Sequence, residues 1–129
     1  MSNFNISNVI LKNVQYNFAN PDRTSISISV NDTIEILEID EKNALLKVVR
    51  ELSLGPDTDS YVKISCEVSV ENEEVITKDI IREAFCNKTI GLVGAFSKIS
   101  LLMSQLTNLS PFGTIVTPPT FNPEKTNVL

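Results

Sequence analysis

Apolar residues recur at every second position through much of the first 70 residues and at every third or fourth after about residue 88. The first period belongs to a half-buried strand and the second to a helix packed along one face. In 8–18, Ile10, Val14, Tyr16 and Phe18 take one face, and Asn13, Gln15 and Asn17 the other. Asn20-Pro21-Asp22 ends this strand in a turn. From Ser25 to Val30 serines alternate with Ile26, Ile28 and Val30. Asn31-Asp32 reads as a turn, after which 33–39 continues the strand beyond a bulge or bend.

The segment 44–54 is ambiguous. Leu46, Val48, Leu52 and Leu54 line a strand face that Arg50 interrupts, while Leu45, Val49 and Leu52 also fit a helix. Its strand neighbours and the hairpin signal Gly55-Pro56-Asp57 favour the strand. The clearest alternation follows, with Val62, Ile64, Cys66, Val68 and Val70 on one side and Tyr61, Lys63, Ser65, Glu67 and Ser69 on the other.

After Val70 the pattern changes. An acidic loop at 71–74 leads to a short helix within 75–85, with Thr77 as its cap and Ile80, Ile81 and Phe85 inward. A long helix is expected over about 88–107, where Leu92, Phe96, Ile99, Met103 and Leu106 are spaced four, three, four and three. Val93 and Leu102 widen this stripe. Burying each such side chain contributes about 1.5–3 kcal/mol, so the sheet, a second subunit or both must cover it. In 108–129, Pro111, Pro118, Pro119 and Pro123 forbid a continuous helix and predict an extended arm. The expected architecture is α+β: a four-stranded antiparallel sheet over about 8–70, a crossover at 71–87, the long helix, and a proline-rich arm, all in one domain spanning 1–129.

Composition narrows the chemistry. The 129 residues carry no histidine, which removes the commonest general base and metal ligand. Two cysteines, Cys66 and Cys86, do not complete a zinc site, and four scattered glycines form no phosphate-binding loop. No cofactor is expected. A formal net charge of −5 opposes non-specific nucleic-acid binding. The first residues lack a basic region followed by an apolar run, so no secretory signal is read and a cytoplasmic location with free thiols is expected. The stretch 90–106 contains Lys98, serines and a glutamine, which opposes a membrane span. Carboxylate pairs such as Glu35 with Glu38, or Glu71 with Glu73 and Glu74, are the remaining basis for an enzyme or small-ligand site. They read more simply as solvated faces and loops.

Two segments, 10–21 and 106–122, stand out beyond their periodicity, and both resemble SecB export chaperones. Ile10-Leu11-Lys12-Asn13-Val14-Gln15-Tyr16-Asn17-Phe18-Ala19-Asn20-Pro21 is similar to that family's first strand, where a lysine precedes Asp-Xaa-Ser-Phe-Glu and then Ala-Pro or Asn-Pro. The stretch 106–122 follows the layout of the family's glycine- and proline-rich loop and its Asn-Phe type of ending. The order of elements agrees along nearly the whole chain. The resemblance implies a non-enzymatic holdase, working without ATP, that binds unfolded or precursor polypeptides in apolar grooves. Val75, Ile76, Phe112, Ile115, Val116 and Phe121 are the residues expected to line such a groove. Read by themselves, the same arm residues more simply pin the arm to the sheet; with the resemblance the two readings weigh equally.

The family also implies a homo-oligomer, a dimer or tetramer, joined through Val14 and Tyr16 of the first strand and Leu92, Phe96, Ile99 and Met103 of the long helix. A helix that covers only its own sheet is the alternative. Asn13 and Asn17 stand where the family presents acidic residues to the zinc-bearing tail of the SecA translocase motor. Lost carboxylates mean lost charge-assisted contacts, so docking to that motor is expected to be weak or absent. Ile90-Gly91-Leu92-Val93-Gly94-Ala95-Phe96 replaces the family's aromatic and proline-rich helix start, and its second helix is reduced to a stub. A second reading keeps the fold but assigns a dedicated adaptor of one partner, such as a toxin–antitoxin or mobile-element protein.

Overall fold

A short polar turn and three strands in meander set the frame. The computed structural model describes residues 4–18, 28–54, 61–87, 92–108, 110, 113–122 and 126–128. Strands β1 (Phe4–Asn17), β2 (Ile28–Asp40), β3 (Asn43–Leu54) and β4 (Tyr61–Asn72) precede helices α1 (Lys78–Cys86) and α2 (Val93–Thr107), and β5 (Asn127–Val128) follows. The sheet order is β1-β4-β3-β2-β5. β2, β3 and β4 pair consecutively and antiparallel, and β1 lies antiparallel beside β4. This is a Greek-key arrangement with its long connection first. The predicted turns at Asn20-Pro21-Asp22 and Gly55-Pro56-Asp57 lie outside the described residues.

The β2–β3 turn consists of Glu41 and Lys42, with Glu41 at φ 51°, in the left-handed region. Its carbonyls are used: Ile76 N donates to Glu41 O at 2.7 Å and Asn72 N to Lys42 O at 2.9 Å. The crossover into α1 is thereby fixed to the far end of the hairpin. Thr77 caps α1 through Ile80 N, 3.2 Å from its hydroxyl, and Ile81, Ala84 and Phe85 face inward.

One face of the sheet carries the core. Val62, Ile64, Cys66, Val68 and Val70 of β4 are buried, as are Leu46, Val48 and Leu52 of β3, and they join one apolar cluster with Ile81 and Phe85 of α1 and Leu92, Phe96, Ile99 and Met103 at α2. The opposite face is largely polar and half-buried to exposed, with Glu35 across from Lys47, Lys47 across from Glu67, and Glu51 across from Lys63.

Three expectations are corrected. Ile10 does not share a face with Val14 and Tyr16: a bulge at Lys12 resets the register, so Ile10 opposes Glu67 while Val14 and Tyr16 oppose Ile64 and Val62. One inserted residue is enough to turn a side chain to the other face. Asn31-Asp32 is not a turn but unbroken strand, because the Asp32 carboxylate is satisfied by Arg50 directly across from it; the β2 bulge falls at Leu37 instead. The four antiparallel strands gain a fifth, since β5 pairs parallel with Thr33 and Ile34 of β2. Helix α2 has fifteen residues, and 88–91, which the sequence assigns to the same helix, lie outside the described residues.

Candidate functional site

Residues 113–122 form neither helix nor ladder, yet they are held at many points. A turn closed by Gly113 N donating to Ser110 O at 3.1 Å reverses the chain after α2. Gly113 has φ +77°, a conformation that side chains oppose. The segment then runs back along α2.

Ser100, Ser104 and Thr107 make its seat on the helix. Their spacing of four and three places all three on one stripe. Ser100 Oγ donates to Thr117 O at 2.6 Å. Ser104 Oγ lies 3.1 Å from Ser100 O and 3.2 Å from Ile115 O, within reach of both. Thr107 Oγ1 donates to Met103 O at 2.8 Å and accepts from Ile115 N, also at 2.8 Å. Helix hydroxyls of this kind normally bond back to their own helix; here they also bond the backbone of the segment.

The sheet supplies the other side. Arg50 of β3 is fully buried. Its Nε and Nη2 donate to Asp32 Oδ1 and Oδ2 at 2.7 and 2.9 Å, a bidentate pair. Nη2 also donates to Thr120 O at 3.1 Å, and Nη1 to Thr117 Oγ1 at 3.2 Å and to Pro118 O. All five donors of the guanidinium are engaged. Its carbon lies 4.9 Å from the centroid of Phe96, a cation–π contact. The Phe121 ring packs between the helices, 5.8 Å from Phe85 edge-on and 5.3 Å from Phe96. Ile115 and Thr117 are buried, whereas Val116, Pro118, Pro119 and Thr120 are exposed. An open cleft of about 440 Å³ flanks this seat, bounded by Val30, Arg50, Thr120, Phe121 and Thr126.

The residues singled out from sequence are divided by the structure. Ile76 and Ile115 are buried and Phe121 is half-buried; Val75 and Val116 are 59% and 77% exposed. Phe112 lies outside the described residues. Leu92, Phe96, Ile99 and Met103 are buried within this chain, Val14 is half-buried and Tyr16 is exposed. Asn13 and Asn17 are exposed on the polar face, where Asn13, Gln15, Asn31, Lys47, Glu51 and Lys63 border a hollow of about 260 Å³. β1 is an edge strand: no described strand pairs with its outer side, and Leu11 and Tyr16 are exposed on it.

Sequence reasoning missed the Asp32–Arg50 pair and the hydroxyl stripe. The signal for the first was present, since a charge among Leu46, Val48 and Leu52 must find a buried partner. The stripe carries no comparable mark, because serines on a helix are ordinarily solvated.

The fold has a solved counterpart. A SecB-like chaperone of Mycobacterium tuberculosis, determined in complex with a ChAD peptide from the HigA1 antitoxin, matches with a TM-score of 0.65 at 10% identity, over 92% of this chain and 88% of that one. A protein of unknown function from Streptococcus agalactiae matches with a TM-score of 0.48 at 9% identity, over 92% of this chain and 98% of that one. Neither a family model nor a curated protein sequence matches the chain. The chain therefore has a SecB-like α+β fold, reached by a divergent sequence. Among the described residues, no helix is long and apolar enough to cross a membrane.

Proposed function

We propose that this chain is a non-enzymatic, nucleotide-independent binder of extended or unfolded polypeptide, acting as a cytoplasmic holdase. The observation that carries the reading is the seat of 113–122. An extended segment lies there with its backbone bonded by side chains and its alternate residues buried. Recognition of unfolded chain has the same requirements: partners for backbone groups and apolar room for some side chains. Val75 and Val116 add exposed apolar surface on the crossover and on the segment itself. The fold shared with a SecB-like chaperone supports the same class.

Copies are proposed to associate through β1, whose outer edge offers backbone groups and exposes Leu11 and Tyr16. Docking to a translocase motor is proposed to be weak, since Asn13 and Asn17 offer no charge.

The test is suppression of aggregation of two unrelated, chemically unfolded proteins at near-equimolar ratio without nucleotide. Suppression of both supports a holdase; suppression of neither removes that role. A second reading, a dedicated adaptor, is favoured by one observation: the chaperone of matching fold was solved with a peptide from a single antitoxin. Client range separates the two, because an adaptor protects one partner and fails on unrelated chains.

A further inference from the structure

We propose that residues 113–122 are the resident occupant of an exchangeable seat, and that an incoming extended segment of matching pattern takes their place. The pattern is a branched aliphatic residue, a hydroxyl residue two positions on, and an aromatic residue four positions beyond that, as in Ile115, Thr117 and Phe121. This rests on the polypeptide-binding reading above and names the partner chemistry of that site.

Three features carry the inference. First, the stretch 115–120 is held through side chains. Ser100, Ser104, Thr107 and Arg50 hold it, and it contributes no strand to the sheet, so its departure breaks no ladder. Second, the seat resists standing empty. Three of the five Arg50 hydrogen bonds go to Thr117, Pro118 and Thr120, and a buried guanidinium stripped of them is strongly unfavourable. A replacement chain restores them, because two of the three acceptors are backbone carbonyls that any extended polypeptide presents. Exchange is therefore favoured over simple opening. Third, burial is selective. Ile115, Thr117 and Phe121 enter the seat while Val116, Pro118, Pro119 and Thr120 face outward. These outward positions leave the partner free in sequence and confine recognition to three sites.

The ends of the segment fit this role. Gly113 at φ +77° forms a pivot after α2, and β5 keeps the far end on β2. A displaced segment remains tethered as a loop and competes at high effective concentration, so poorly matched chains are excluded.

A labelled peptide of residues 113–122 tests the proposal by fluorescence anisotropy on the full chain and on Phe121→Ala, which loosens the resident copy. Binding to the variant is expected to be about tenfold tighter, since a seat vacated more often raises apparent affinity. A peptide carrying Ile115→Ser and Phe121→Ser is expected not to bind. Equal binding to both proteins, or none to either, overturns the proposal. If Phe121→Ala does not fold, hydrogen exchange on the unaltered chain decides: saturating peptide should strip protection from the Ile115 amide. A client captured while that amide stays protected overturns exchange and leaves the holdase reading standing. Peptide exchange without any client protection supports exchange and removes the holdase.

Discussion

Arg50 and Asp32 meet edge to edge across β3 and β2, fully paired and almost wholly out of water. Removing one partner strands the other. Asp32→Ala is expected to destabilise the fold by about 3–5 kcal/mol, read as a lower denaturation midpoint. Replacing both, as Asp32→Leu with Arg50→Met, should recover part of that loss, because an apolar pair carries no desolvation penalty. A double variant no more stable than Asp32→Ala would show that the bonds to 117–120, rather than the ion pair, dominate.

Thr107 gives a narrower test. It is fully buried and accepts from Ile115 N at 2.8 Å. Thr107→Val keeps the shape and orphans that N–H, at a cost of about 1–3 kcal/mol. Thr107→Ser should cost less and preserve slow hydrogen exchange at Ile115. Equal exchange in the two variants would exclude the hydroxyl as the anchor.

The two thiols should part by reactivity. Cys86 is exposed and Cys66 buried. Burial pushes the Cys66 thiol pKa up, and the charge of Lys98 offsets part of the rise. Iodoacetamide in native buffer should modify Cys86 alone, with Cys66 reacting only on unfolding. The folded state holds the Cys66 proton more tightly than the unfolded chain does. This contribution to stability is complete below the ordinary thiol range and fades as pH rises through it to the higher native value. Cys66→Ala should flatten that part of the pH profile, as followed by thermal melts.

Exposed apolar positions separate binding from folding. Val75→Asp and Val116→Asp should each change stability by no more than about 0.5 kcal/mol, as surface substitutions do. If these side chains contact a client, each should weaken capture about fivefold, the equivalent of about 1 kcal/mol of apolar contact. Light scattering with an unfolded client measures this, and undiminished capture would remove both from the binding surface.

Association is tested on the edge strand. For copies associated through β1 as proposed, Leu11→Lys with Tyr16→Lys places two charges beside its open side and should lower the mass seen by sedimentation to that of one chain. An unchanged oligomer would locate the interface elsewhere.

Much of the frame is legible from local pattern. The alternation from Val62 to Val70 marks β4 because each apolar residue has one buried destination, and all five reach it. Leu92, Phe96, Ile99 and Met103 mark the helical face for the same reason. Elsewhere a local rule competes with a distant partner. Asn31-Asp32 has turn chemistry, but the carboxylate finds Arg50, eighteen positions on, and stays in strand. Ile10 fits the alternation of its neighbours, but Lys12 is inserted before it can join them. Lys12 instead pairs with Glu67 at 3.2 Å. The seat of 113–122 is the least legible part. It depends on α2, β3 and the returning segment meeting in space, and no single stretch of sequence contains that meeting.

The interruptions at Ser7 and Lys12 have a further consequence for β1. A flat, unbroken edge of fourteen residues would be a template on which identical copies stack without limit. Two kinks and a protruding lysine break that edge into short stretches of differing twist, and a fibril cannot propagate across them. For the polypeptide binder proposed above, these breaks keep its own edge from serving as such a template.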